Sequence, residues 1–194
     1  MVTKNVVDKA EQYLKKENIL YKIVNFLEYS EITKQKDAGT YLLNIASKMN
    51  VFTLTEYDKV VFIDADSIFF QNIDDLMNYP DGAMYAEPGH INGFAGLFVC
   101  IPKNHNLNYY MTLLHSQYMW ESDLLGELWF PFKSNIEYQI STNYFVNITL
   151  ENLEDWNIYD IKGIHFCYHY KPWKYNNINE YFQDYYKEFN NMSL

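Results

Sequence analysis

Cysteine is nearly absent: the chain holds only Cys100 and Cys167, each inside an apolar stretch and neither in a C-x-x-C pair. That excludes a disulfide framework and a zinc ribbon, and makes a reducing, cytoplasmic compartment the expectation. Basic residues are also scarce, 15 Lys and Arg against 25 Asp and Glu, for a formal charge of -10. Such a surface repels nucleic acid and anionic membranes, so an anionic ligand needs a metal ion or a local basic pocket. No apolar run approaches the roughly 20 residues that span a bilayer, and the N-terminus shows no secretory pattern. Internal repeats, low-complexity tracts and linkers that would divide the chain are missing as well.

What is present points to a compact fold. The 194 residues are 48% hydrophobic and 19% aromatic, enough to bury a sizeable core in a single domain spanning residues 1–194. The 19 Tyr residues fit sugar stacking and a coding bias equally well. Asn5 can cap a helix with Val6, Ala10, Tyr13 and Leu14 on one face that ends near Asn18, and a strand follows over Ile19 to Leu27. Leu42, Ile45, Met49 and Phe52 keep helical spacing and lead into a strand from Lys59 to Ile63. Short strands are expected over Gly82 to Glu87 and Gly96 to Ile101, and helices over Asn106 to Tyr118 and Ser122 to Trp129. Irregular chain then leads to a strand at Gly163 to Cys167, and a helix over Asn179 to Phe189 closes the pattern. Strands alternating with helices indicate a layered α/β domain.

The stretch "VVFIDADSIFF", residues 60–70, concentrates the chemistry. A strand apolar on both faces reads as the centre of a helix-covered sheet, and such strands deliver their functional groups at the carboxyl end. Asp64 and Asp66 sit there. In extended geometry residues i and i+2 point the same way, so both carboxylates can face one ligand. Like charges that close repel unless a cation lies between them, which a divalent metal satisfies. The pattern alone fits equally a turn with two solvated aspartates capping backbone groups. Asn147-Ile148-Thr149 and Asn191-Met192-Ser193 match the glycosylation acceptor pattern, which without secretion is a chance match.

"LTEYDKVVFIDADSIFFQNIDDL", followed downstream by "GIHFCYHYKPW", resembles glycosyltransferase family eight, which includes the glycogenins and galactinol synthases. The resemblance implies a GT-A fold, a Rossmann-like mixed sheet flanked by helices, and a retaining transfer of a hexose from a UDP-sugar to a hydroxyl acceptor. It implies a divalent ion, Mn²⁺ with Mg²⁺ as the alternative, held by Asp64, Asp66 and His165. For His165, a hydrogen-bonded histidine in a strand is the competing reading. By the same resemblance the nucleotide-sugar site would use Lys48, Asp64, Ala65, Asp66, Glu121, His165 and Lys171. Lys171 would contact the diphosphate and stabilise the leaving group. Lys48 takes the place of another phosphate-contacting lysine, with a solvated helix lysine as the equal alternative, and Pro172 and Trp173 shape the turn that presents Lys171. "ESDLLGELW" resembles the family's acidic helix start, nominating Asp123, and less securely Glu121, for contact with sugar hydroxyls or the anomeric carbon. Helix-dipole stabilisation accounts equally for either acid.

Two departures stand out. Phe94 and Ala95 replace the Asn and Ser of the family's "N-S-G-V" segment, and Glu87 lies near the family's sugar-contacting Asp. The front of the chain, "MVTKNVVDKAEQYL", resembles what comes second in the family, so the domain reads as N-terminally short of a first β-α unit. An exposed sheet edge there would allow a homodimer. The acceptor is left open among glycan, protein and polyol. A catalytically weak or inactive sugar-nucleotide-binding module is the alternative function, and a metal-dependent phosphohydrolase a third.

Overall fold

A computed structural model describes residues 1–3, 7–27, 42–85, 94–116, 121–129, 135–148 and 160–166. The first unit is a strand β1 (Val2–Thr3), a helix α1 (Val7–Lys16) and a strand β2 (Ile23–Val24), with β1 and β2 parallel. Asn18 ends α1 near the expected position: its φ of 54° is left-handed, a geometry Asn tolerates at a helix C-terminus, and the Ile19 N–H donates back to the Leu14 carbonyl at 2.8 Å. The capping residue Asn5 lies outside the described residues. The strand expected over Ile19 to Leu27 contracts to two residues, because side chains take up the backbone groups beyond it. Asn50 donates to the Asn25 carbonyl at 2.8 Å, and the Ser47 hydroxyl both accepts from the Leu27 N–H and donates to the Leu27 carbonyl.

Those side chains belong to a 3₁₀ helix, Leu42–Thr53. With three residues per turn, positions three apart eclipse each other. Ala46, Met49 and Phe52 therefore form one ridge buried in the core, and Ser47 and Asn50 form a polar ridge against residues 25–27. After it come β3 (Val60–Ile63), β4 (Ser67–Phe69), β5 (Met84–Tyr85), β6 (Phe94–Cys100), α2 (Leu107–Ser116), α3 (Glu121–Leu128), β7 (Gln139–Ile140), β8 (Val146–Ile148) and β9 (Gly163–Phe166). One mixed sheet runs β3-β6-β5-β7 and a second runs β4-β9-β8. The architecture is the expected mixed α/β arrangement of a GT-A-like fold. Strands β7 and β8 fall where the sequence reading has irregular chain, β4 lies in a stretch given no element, and the helix expected over Asn179 to Phe189 lies outside the described residues.

The central strand is β6 rather than β3. Along β6 side chains alternate between faces. Phe98 and Cys100 join Ala46, Met49, Phe52, Leu114, Leu124 and Leu125 under the helices, whereas Leu97 and Val99 join Leu76, Tyr85, Ile140 and Phe145 on the opposite face. Both faces are covered, which is why "FAGLFVC" is continuously apolar. Strand β3 pairs with β6 alone among the described residues and is half-buried throughout. Burial pushes the Cys100 thiol up to about 12, so it stays a neutral core residue. No helix among the described residues is long and apolar enough to cross a membrane.

One polar network joins the sheet to the helical layer. Gly82, at a φ of 87° that favours glycine, follows Asp81. The Asp81 carboxylate accepts from the Ile101 N–H at 2.7 Å and from the Asn104 amide at 2.7 Å. His105 Nε2 lies 2.8 Å from the same carboxylate, and His105 Nδ1 lies 2.6 Å from the Tyr110 hydroxyl. Burial on its own would raise the Asp81 pKa, but His105, the Ile101 N–H and Asn104 together outweigh it and hold the carboxyl below its usual 3.8. A carboxylate depressed by folding contributes stability above its unfolded pKa and loses it as pH falls through the folded value. Asp81→Ala, which leaves these donors unmatched, is expected to cost about 1–3 kcal/mol at pH 7. In urea unfolding at a series of pH values the gap to wild type should close below about pH 4.

Candidate metal and nucleotide-sugar site

The site lies where the two sheets meet. The Asp64 N–H donates to the Gly96 carbonyl at 2.8 Å, extending the β3–β6 ladder by one residue. Ala65 and Asp66 then turn, and the Phe166 N–H donates to the Asp66 carbonyl at 3.0 Å, so that β4 leaves along β9 in the second sheet. Each aspartate is thus pinned by a different sheet. The sequence reading expected both carboxylates to converge because the chain stays extended; they converge because it turns. In β9, His165 pairs with Ser67 of β4 on one side and with Asn147 of β8 on the other.

This brings one ligand atom each from Asp64, Asp66 and His165 within 4.8 Å of one another. His165 is 4% exposed; its Nε2 lies 3.1 Å from Asp66 Oδ1 and 4.0 Å from Asp64 Oδ2. On the other side of Asp64, Lys48 Nζ lies 3.0 and 3.1 Å from the two carboxylate oxygens and donates to the Ala95 carbonyl at 3.2 Å. The Lys48 side chain is 8% exposed and reaches the site from the 3₁₀ helix. Lys48, for which the sequence offered a phosphate contact and a solvated helix lysine as equal readings, is not solvated but pairs with Asp64.

Gly96 makes room for the cluster. A Cβ there would meet the Phe94 ring at 2.2 Å and Asp64 Oδ2 at 3.1 Å. The Phe94 ring centroid lies 5.3 Å from that of His165. Next to it, the Ala95 N–H donates to the Ser122 hydroxyl at 3.2 Å, which ties the first turn of α3 to the start of β6. Asp123 is half-buried on that turn, and Glu121 opens the helix. Ala65 is exposed in the turn between the two aspartates. Lys171, Pro172, Trp173 and Glu87 lie outside the described residues.

One residue beside the cluster was not singled out from the sequence as part of the site. Asn147, which matches a glycosylation acceptor, is half-buried with its Oδ1 2.9 Å from His165 Nδ1. The only local signal was an asparagine inside the apolar "FVNI" stretch; its partner lies 18 residues further along the chain.

No family model matches the chain. Glycogenin-1 of Homo sapiens is 28% identical over an alignment covering 74% of this chain and 43% of that protein. Glycogenin-1 of Mus musculus is 30% identical, covering 66% and 41%, and galactinol synthase 1 of Solanum lycopersicum is 25% identical, covering 91% and 64%. These similarities support a relationship to glycosyltransferase family eight. The chain spans less than two thirds of the length of each of these relatives.

The Lys48–Asp64 pair should be energetically coupled. Lys48 is buried and Asp64 partly so, and removing one member of such a pair strands the other, at a cost on the order of 2 kcal/mol. Lys48→Met is therefore expected to destabilise the metal-free protein by about that amount, and Asp64→Asn in the same chain to restore much of it. A double-mutant cycle by urea unfolding in chelator measures this, and additive effects would disprove the coupling.

Proposed function

We propose that this protein is a metal-dependent, retaining glycosyltransferase that moves a hexose from a UDP-sugar to a hydroxyl acceptor. The observation that carries the reading is the convergence of Asp64, Asp66 and His165 at the end of β3, in a chain similar to glycogenins and a galactinol synthase. Two hard carboxylate oxygens and one imidazole, with no thiolate, suit Mn²⁺, with Mg²⁺ as the alternative. The His165 Nε2 faces both carboxylates, so the donor set fits such an ion. When bound, the ion supplies Lewis-acid neutralisation of the charge that develops on the departing UDP.

The protein's own groups do the rest. Lys48 is a fixed cation at the rim of the cluster, placed to exchange Asp64 for a donor phosphate once Asp64 is engaged. Lys171 is assigned to the diphosphate as the second cation. Asp123, tethered through Ser122 to the start of β6, is assigned to the donor-sugar hydroxyls or to positive charge at the anomeric carbon, with Glu121 beside it. Ala65 offers its exposed backbone to the nucleotide. The acceptor class is glycan, protein or polyol. The second reading, a sugar-nucleotide-binding module with weak or no turnover, is favoured by one observation: the Phe94 ring lies against His165 where the family carries an Asn.

Calorimetric titration of UDP is expected to show binding with Mn²⁺ and none with chelator. Asp66→Asn, which removes a ligand, should weaken Mn²⁺-dependent binding by on the order of 100-fold or more. Binding indifferent to metal or to Asp66→Asn would refute the assignment. Incubation with UDP-glucose or UDP-galactose separates the two readings: release of UDP, even slow hydrolysis without acceptor, supports the enzyme, and Mn²⁺-dependent binding without release supports the module.

A further inference from the structure

We propose that Asn147 is a positioning residue for the metal site, acting through His165: its side-chain carbonyl accepts from Nδ1–H and so leaves Nε2, which lies 3.1 Å from Asp66 Oδ1, as the nitrogen available to an ion shared with Asp64 and Asp66. The inference rests on the metal-site reading above and deepens it. A neutral imidazole carries one N–H, and a metal takes the nitrogen that lacks it; which nitrogen that is depends on the hydrogen bond made by the other.

The placement of Asn147 follows from strand pairing. In the parallel β8–β9 ladder Asn147 pairs with His165, so the two side chains lie side by side on one face of the sheet. The observed Oδ1–Nδ1 separation of 2.9 Å is a hydrogen-bond distance. His165 is buried, leaving water little chance to replace that acceptor. The ring is also flanked by Phe145, stacked at 5.2 Å between centroids with planes 14° apart, and by Phe94. These aromatic neighbours set the plane of the ring but not its tautomer. Asn147 supplies the directional contact, and it does so from a different strand than any of the three ligands.

The chemistry distinguishes Asn147 from a merely structural asparagine. An aspartate at the position still accepts from Nδ1–H, whereas an alanine cannot. Titration with Mn²⁺ alone, read by the electron paramagnetic resonance of the free ion, is expected to show 10–100-fold weaker binding in Asn147→Ala. Asn147→Asp should bind as tightly as wild type or more so. Ring ¹⁵N shifts of His165 in the wild-type protein loaded with Zn²⁺, a diamagnetic substitute, should place the proton on Nδ1. Equal affinity in all three proteins, failure of Asn147→Asp to recover binding, or a proton on Nε2 in the loaded wild type each overturns the proposal. The ¹⁵N measurement needs no variant to fold. Absence of Mn²⁺ binding by wild type sinks the metal-site reading itself, and this inference with it.

Discussion

Two carboxylates with oxygens inside a 4.8 Å cluster repel each other by roughly 3 kcal/mol at an effective dielectric near 20. The chain accepts that cost because the backbone leaves the carboxylates little room to separate. Asp64 is bonded to Gly96 of β6 and Asp66 to Phe166 of β9, and moving either away breaks a sheet ladder. Compensation therefore comes from side chains: Lys48 against Asp64 and His165 against Asp66. The seam between two sheets is thus a preorganised place for positive charge, where the Lys48 ammonium already lies against Asp64.

That rigidity is built from behind. The β6 strand, buried on both faces, carries Gly96 and Ala95 to the site, and the aromatic packing of Phe98, Phe52 and Trp129 anchors the helical layer that delivers Lys48 and Ser122. A site set on paired strands loses little entropy when a ligand arrives, because its groups are already ordered. Gly96 and Phe94 mark the limit of the space available: one side chain is absent so that another can lie against His165. In that arrangement Phe94 becomes part of the wall of the cluster.

Much of this was legible beforehand, for local reasons. Strand β3, strand β6 and helices α2 and α3 carry their apolar pattern in contiguous residues, and Asp64, Asp66 and His165 lie in motifs whose residue types state their chemistry. The 42–53 segment was legible as a helix, but its 3₁₀ winding was not, since apolar residues at 49 and 52 satisfy either period. Strands β4, β7 and β8 are two or three residues long, too short for alternation to show. They exist because β9 and β5 provide partners far along the chain. The centre of the sheet was misplaced for the same reason: β3 and β6 are both apolar runs, and only pairing tells an edge from a centre.

By itself the sequence determined which groups are available: two aspartates after a hydrophobic strand, a histidine ahead of a Lys-Pro-Trp block, and an acidic surface that reserves any anion site for a metal or a lysine. Composition and spacing act within a few residues, and that is as far as they reach. Which of those groups meet was decided by tertiary structure. The turn at Ala65 and the register Ser67–His165–Asn147 across β4, β9 and β8 put Lys48, Asp64, Asp66, His165 and Asn147 into one cluster. Strand register is a non-local property, set by the packing of both faces of both sheets at once, so an asparagine whose only sequence signal was a chance motif match became the hydrogen-bond partner of a buried histidine.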